Sequence, residues 1–193
     1  ITINLIGERQ FIDRLNAGFA TSEKVSFNAL GDNMGAYPIN HGNETNMQAA
    51  YLFSYTSEPW HTQKWARAIQ EKYYGMGPRD AYPGDEDQGQ MSSWYILSSI
   101  GLFQMDGGCS KDPVWLLGSP RFDRVEILLD NTYYSGKKLI IKAENVSKDN
   151  CYIQYVRFNN KRLSNNYIEW SKLKKGGTLH FIMGDRPNPN AFK

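Results

Sequence analysis

The chain has 193 residues, 40% of them hydrophobic, and a formal net charge of +2 from 22 Lys and Arg against 20 Asp and Glu. That length buries one sizeable core or two small ones, while so small a charge leaves no electrostatic footprint for a nucleic acid. No stretch is apolar enough to span a bilayer.

The first half reads helical. Residues 8–19 place Phe11, Ile12, Leu15 and Phe19 on one face at helical spacing, and residues 21–42, rich in Ser, Asn and Gly, read as a long loop. Residues 46–55 carry Met47, Ala50, Tyr51 and Ser54 in helical register, closed by Pro59. Thr62 then caps a helix on which Trp65, Ile69 and Tyr73 recur at intervals of four, and residues 75–78, Gly-Met-Gly-Pro, end it. A buried helix is expected over 91–102. From about Val114 the pattern changes to short runs rich in β-branched and aromatic residues, at 115–117, 124–129, 138–143, 152–158 and 178–183. Asn159, Asn160 and Lys161 read as a hairpin turn. The fold class is therefore α+β, a helical part over 1–107 followed by an antiparallel sheet or small sandwich over 108–193.

The chemistry concentrates in residues 84–95, Gly-Asp-Glu-Asp-Gln-Gly-Gln-Met-Ser-Ser-Trp-Tyr. Asp85, Glu86 and Asp87 repel one another and lie at the N-terminus of the apolar helix, where free N–H groups favour anions. A second polar loop, His41-Gly42-Asn43-Glu44-Thr45, also feeds a helix. With one helix between the two, an antiparallel array starts both from the same end, so Glu44, Asp85, Glu86 and Asp87 should meet at one rim. Three uses of such a rim stay open. It suits an acid–base pair for glycoside hydrolysis; it suits calcium, to which Asn43, Glu44, Gln88 and Gln90 add oxygens; or it is an exposed acidic turn that caps a helix. An EF-hand loop is not indicated, because the carboxylate series stops early and no Glu closes it.

The 5 Trp and 12 Tyr are generous for a protein that handles sugars. Trp60 and Trp94 are flat enough to stack one, though helix-borne Trp more often packs in a core. His41 alone reads as a hydrogen-bonded loop histidine. The basic runs after Lys137 read as solvated faces, without the periodicity of a nucleic-acid groove. Cys109 and Cys151 form no metal-ligand pattern with the 3 His, and a disulfide between them is left open. No signal peptide is visible.

Taken in order, Leu5-Ile6-Gly7-Glu8-Arg9-Gln10-Phe11, His41-Gly42-Asn43-Glu44, Tyr51-Leu52-Phe53, Pro59-Trp60, Tyr74-Gly75-x-Gly77-Pro78, residues 84–95, and Gly118-Ser119-Pro120-x-Phe122-Asp123 closely resemble the calcium-dependent exo-acting α-mannosidases of glycoside hydrolase family ninety-two. Lys175-Gly176-Gly177-x-Leu179 and Met183-Gly184 resemble that family's C-terminal end.

The resemblance implies the C-terminal part of an (α/α)6 barrel followed by β-structure, in an inverting enzyme that holds terminal mannose through calcium. By the same token Asp85 and Asp87 fall at the catalytic base, Asn43, Glu44 and Gln90 at metal or sugar contacts, and His41, Glu44 and Trp60 at the substrate rim. The implied partners are mannose-containing glycans, cleaved most readily at α-1,2 linkages, and the remainder of a parent polypeptide with an upstream β-sandwich and further barrel helices. The implied location is secreted, periplasmic or cell-surface. The family's general acid belongs to a Glu-Gly-Asn-x-Trp-Gln-Tyr-like block that this chain lacks. The chain, which begins Ile-Thr-Ile-Asn, is thus expected to be a C-terminal fragment that is inactive alone. The alternative expectation is a calcium-dependent carbohydrate-binding module that never cleaves.

Overall fold

A computed structural model of the protein describes residues 2–24, 37–78 and 80–193. The expected loop over 21–42 falls largely on 25–36, outside the described residues. The chain divides into two compact units, Ile1–Tyr95 and Ile96–Lys193.

In the first unit a short helix α1 (Thr2–Ile6) leads through Gly7 into α2 (Glu8–Glu23), longer by a turn than periodicity indicates. Its inner face presents Ile12 and Phe19, and Phe19 stacks on Trp65 with ring centroids 5.1 Å apart. The segment expected as an α-helix over 46–55 is instead a pair of 3₁₀ turns, Glu44–Asn46 and Ala49–Tyr55. Three residues per turn still bury Ala50, Tyr51 and Phe53. Helix α3 (Trp60–Tyr73) starts at Pro59, not Thr62, which is wholly buried in its first turn with Oγ1 3.1 Å from Ser54 Oγ. Proline fits there because its missing N–H is one a helix start leaves unpaired anyway.

Helix α4 (Gln90–Ser99) is shorter than expected and only partly buried: Met91, Trp94 and Ser98 face inward while Ile96 is 59% exposed. It stops at Gly101, whose φ of 83° admits few residues with a side chain, and where a Cβ would lie 2.9 Å from Pro120 Cδ.

The second unit is β-rich. Strands β1 (Leu102–Phe103), β2 (Val114–Leu117) and β7 (Tyr167–Glu169) form a small antiparallel sheet. Strands β3 (Arg124–Leu128), β4 (Lys138–Glu144), β5 (Tyr152–Phe158), β6 (Lys161–Arg162) and β8 (Gly177–Gly184) form a second sheet in the order β3-β4-β8-β5-β6. This sheet is mixed, which corrects the antiparallel expectation: β8 inserts between β4 and β5, parallel to the first and antiparallel to the second. A one-turn helix α5 (Trp170–Leu173) precedes β8. The β5–β6 hairpin turns at Asn159 and Asn160, with φ of 47° and 68°, the left-handed pair that Asn tolerates and that suits the twist of the strands. Leu139, Ile141, Val156, Leu179, Phe181 and Met183 line one face and form the core. Cys109 and Cys151 are both free thiols. No described helix is long and apolar enough to cross a membrane.

Candidate functional site

Within the first unit the structure brings the two polar loops together. Gly84 lies so close to the 41–44 loop that a Cβ there would sit 2.5 Å from the carbonyl oxygen of Gly42. A few residues on, Gln90 Nε2 donates to the Glu44 carbonyl at 3.3 Å. Two stretches some forty residues apart thus share one rim, with Glu44 and Asp85 exposed on it and Asp87 half-buried.

The three consecutive carboxylates do different things. Glu86 caps α4: its Oε2 accepts from Gly89 N at 2.5 Å, and its Oε1 from Ser92 N at 3.2 Å and Ser92 Oγ at 2.6 Å. The Ser92 hydroxyl and then the Gly89 amide hold this carboxyl below its ordinary range. Tyr82 Oη reinforces the arrangement, 2.9 Å from Ser92 Oγ. Asp87 opens a turn in which Asp87, Gln88 and Gly89 all have positive φ, at 57°, 57° and 99°. Consecutive left-handed residues other than Gly are costly and persist only where surroundings enforce them. Its Oδ2 is buried and has no hydrogen-bond partner among the described residues. Desolvation, followed by the negative charges of Glu44, Asp85 and Glu86, raises its pKa above the ordinary aspartate value. Asp85 stands exposed beside it.

Beneath the rim lies an aromatic floor. His41 is wholly buried, with Nε2 2.8 Å from Tyr74 Oη. Since Tyr74 Oη donates to the Met91 carbonyl at 3.5 Å, it accepts from His41 Nε2–H, and His41 Nδ1 is left as an unpartnered lone pair. The imidazole packs edge-on against Trp94 at 4.3 Å, and Tyr74 lies nearly parallel to the same indole, 6° off and 5.9 Å away. Burial pushes His41 down to about 3, so it is neutral at ordinary pH. It supports the loop from below and is not open on the rim. Trp94 is 1% exposed and belongs to the core. Trp60 opens α3 at the end away from Tyr74, roughly 20 Å of helix from it, so the structure does not bring it to this rim.

The donor set for a metal is oxygen only, the chemistry calcium prefers. Asn43 Oδ1 is already engaged by Thr45 N at 3.3 Å and Thr45 Oγ1 at 3.2 Å. Among the described residues no group of three or more His, Cys, Asp or Glu is arranged to hold a metal. The Glu44 carboxylate has no hydrogen bond among the described residues, so any ion would rest on it with amide, backbone and ligand oxygens. Sequence reasoning weighed a capping role for the acidic turn but did not single out Glu86 for it, and it missed the clamp of Tyr74 on His41. A Tyr before a Gly at a helix end carries no distinguishing signal.

Carboxylates held in unequal environments at one rim are the arrangement that acid–base hydrolytic sites use. Residues 2–185 match the family model described as the glycosyl hydrolase family 92 catalytic domain. The chain belongs to that family. It is similar to the structure of a family GH92 α-mannosidase from Bacteroides thetaiotaomicron, with 32% identity and a TM-score of 0.81 over 98% of this chain and 23% of that one. It is also similar to a family GH92 inverting mannosidase from the same organism, with 29% identity and a TM-score of 0.70, covering 90% of this chain and 25% of that one. An uncharacterised secreted glycosidase from Arthroderma benhamiae is 28% identical over 145 residues, 74% of this chain and 18% of that protein. The chain thus spans about a quarter or less of the length of these relatives.

Proposed function

We propose that the chain is part of an inverting, calcium-dependent exo-α-mannosidase that hydrolyses terminal α-mannosyl linkages of glycans, α-1,2 foremost. The observation that carries this reading is the half-buried, partnerless carboxylate oxygen of Asp87, set beside Glu44 and Asp85 at a rim built by two loops. Residues 1–107 would supply the last helices of an (α/α)6 barrel, and residues 108–193 its C-terminal β-rich region. Family membership and the similarity to mannosidase structures support the substrate class. The parent protein is proposed to act outside the cytoplasm, in keeping with the secreted glycosidase it resembles.

In this reading Asp87 is the base that takes a proton from the attacking water. A raised pKa makes the carboxylate a better proton acceptor than an ordinary aspartate. Asp85 stands beside it and is one of the charges that raise this proton affinity. Glu86 takes no part in the reaction; it fixes the start of α4 and so the position of Asp87. Glu44, Asn43 and Gln90 would hold calcium, which supplies positive charge to sugar hydroxyls. His41 and Tyr74 set the loop that carries Glu44. No role at this rim falls to Trp60. The general acid is not among the blocks found in this chain, so the isolated polypeptide is proposed to be inactive.

The test uses the parent-length enzyme on an α-1,2-linked mannobiose, followed by proton NMR. Asp87→Asn is expected to lower kcat by about 10²–10⁴-fold, the usual worth of a general base. Glu86→Gln is expected to lower stability with a much smaller loss of kcat. Equal and modest losses in both would sink the assignment of Asp87 and return the acidic turn to a capping role. The isolated chain is expected to release no mannose with calcium present; β-mannose appearing first from it would overturn the fragment reading.

A further inference from the structure

The register of the five-stranded sheet aligns residues that are far apart in sequence. Arg124 on β3 pairs with Lys142 on β4, Lys142 with His180 on β8, His180 with Arg157 on β5, and Arg157 with Arg162 on β6. Directly paired residues share a face, so these five side chains form one rung across the whole sheet, on the face opposite the core. With strands about 4.8 Å apart the rung is about 19 Å long.

Like charges placed directly opposite one another weaken a sheet, and carboxylates relieve only Arg124 and His180 on this rung. Arg124 pairs with Glu126, which also binds Lys138 at 2.6 Å, and His180 Nε2 lies 2.9 Å from Glu144 Oε1. Lys142, Arg157 and Arg162 have no carboxylate partner among the described residues. The two guanidiniums stand over the same ring, 5.0 and 5.4 Å from the centroid of Tyr155, which holds them side by side. Arg162 also donates to the carbonyls of Asn190 and Ala191, at 3.0 and 3.4 Å, which fixes it further. Past the strand edge Arg162 and Lys161 line a cleft of about 280 Å³ in which Glu169 pairs with Lys172 at 2.6 Å, so the uncompensated charge is concentrated on the rung itself.

We propose that this rung, centred on Lys142, Arg157 and Arg162, is a non-catalytic binding site for an anionic polysaccharide that carries sulfate, phosphate or carboxylate groups. Planar guanidinium forks match such oxyanions, and a pair already held in place loses little freedom on binding them. A row of this length fits a polymer better than a single ion. Single-stranded nucleic acid is disfavoured because it needs open aromatic platforms, and the ring beside this rung, Tyr155, is covered by two guanidiniums. The site is independent of the mannosidase reading and would anchor the protein to a charged glycan matrix.

The test titrates the full 193-residue chain into fluorescein-labelled dextran sulfate and follows anisotropy at low and at physiological salt. Neutral dextran, an oligothymidylate of matched charge and vesicles containing phosphatidylserine serve as comparison probes. Dextran sulfate is expected to bind with a steep salt dependence, and R157Q/R162Q to weaken it about tenfold or more. The charge-matched control K111Q/K148Q, on exposed turns off the rung, is expected to stay within about twofold. Thermal melts check that each variant folds, and Lys142→Gln alone gives an intermediate loss should the double variant melt early. No binding at low salt, equal losses in both double variants, or tighter binding to the oligothymidylate or the vesicles would overturn the proposal. None of these outcomes depends on catalysis.

Discussion

His41 makes the first unit sensitive to acid over a window that its surroundings define. Its folded pKa is depressed from 6.5 to about 3 by burial. The unfolded chain therefore takes up a proton that the folded one refuses, and the resulting stability is complete above pH 6.5 and lost as pH falls toward 3. The slope is about 1.4 kcal/mol per pH unit, so on the order of 2–3 kcal/mol disappears by about pH 4.5, a large share of the 5–15 kcal/mol that typically holds a domain together. Glu86, held below its ordinary 4.5, loses its contribution only at lower pH, which leaves the upper part of the window to histidine. His61, also depressed by burial but partly offset by Glu58, is the control.

The assay is urea unfolding at a series of pH values for the parent, His41→Gln and His61→Gln, together with the C2-proton shifts of the three histidines. The parent and His61→Gln are expected to lose stability steeply below pH 6.5, and His41→Gln, whatever its stability at neutrality, to lose much less. The His41 proton should keep its neutral shift until the unit unfolds. A His41 signal titrating with a midpoint above about 5 would refute the reasoning, because burial would then not be excluding the charge.

Two further outcomes follow from the rim. Gly84→Ala places a methyl 2.5 Å from a backbone oxygen that cannot swivel away, so the loops must part by close to an ångström. A cost of about 1–3 kcal/mol is expected, with faster hydrogen exchange confined to residues 41–47 and 84–92; an unchanged unfolding midpoint would mean the loops are not pressed together. Asp87→Asn is expected to stabilise the chain at pH 7. Because the folded pKa of Asp87 is raised, stability is present below the unfolded value and lost as pH rises through the folded one. The gain should therefore vanish below about pH 3.5, and a gain that persists there would point to something other than charge.

Periodicity carried much of this fold. Phe19, Trp65, Ile69 and Trp94 all lie in the core where helical spacing puts them, and the β5 segment was legible to its last residue because alternation and the Asn159-Asn160 turn agree. The meeting of the two loops was legible too, since it follows from counting helices. What the sequence hides is partner choice. Nothing in a period-two pattern says that β8 pairs with β4 as well as β5, so neither the parallel ladder nor the basic rung can be read in advance. Three adjacent carboxylates likewise look equivalent in one dimension. Only the turn of the chain gives Glu86 the helix amides, leaves Asp87 Oδ2 without a partner and puts Asp85 in water.

The position of β8 bears on how the protein is made. The ladder joining β3 and β4 to β5 and β6 runs entirely through the last strand of the chain, so during synthesis two separate hairpins must wait, each marginal alone, until residues 177–184 leave the ribosome. Such late, long-range closure is slow, and it exposes unpaired strand edges in the meantime. A ribosome that stalls before residue 184 or a protease that removes residues 177–184 would therefore do more than trim the sheet. It would remove the strand that makes the two hairpins one structure.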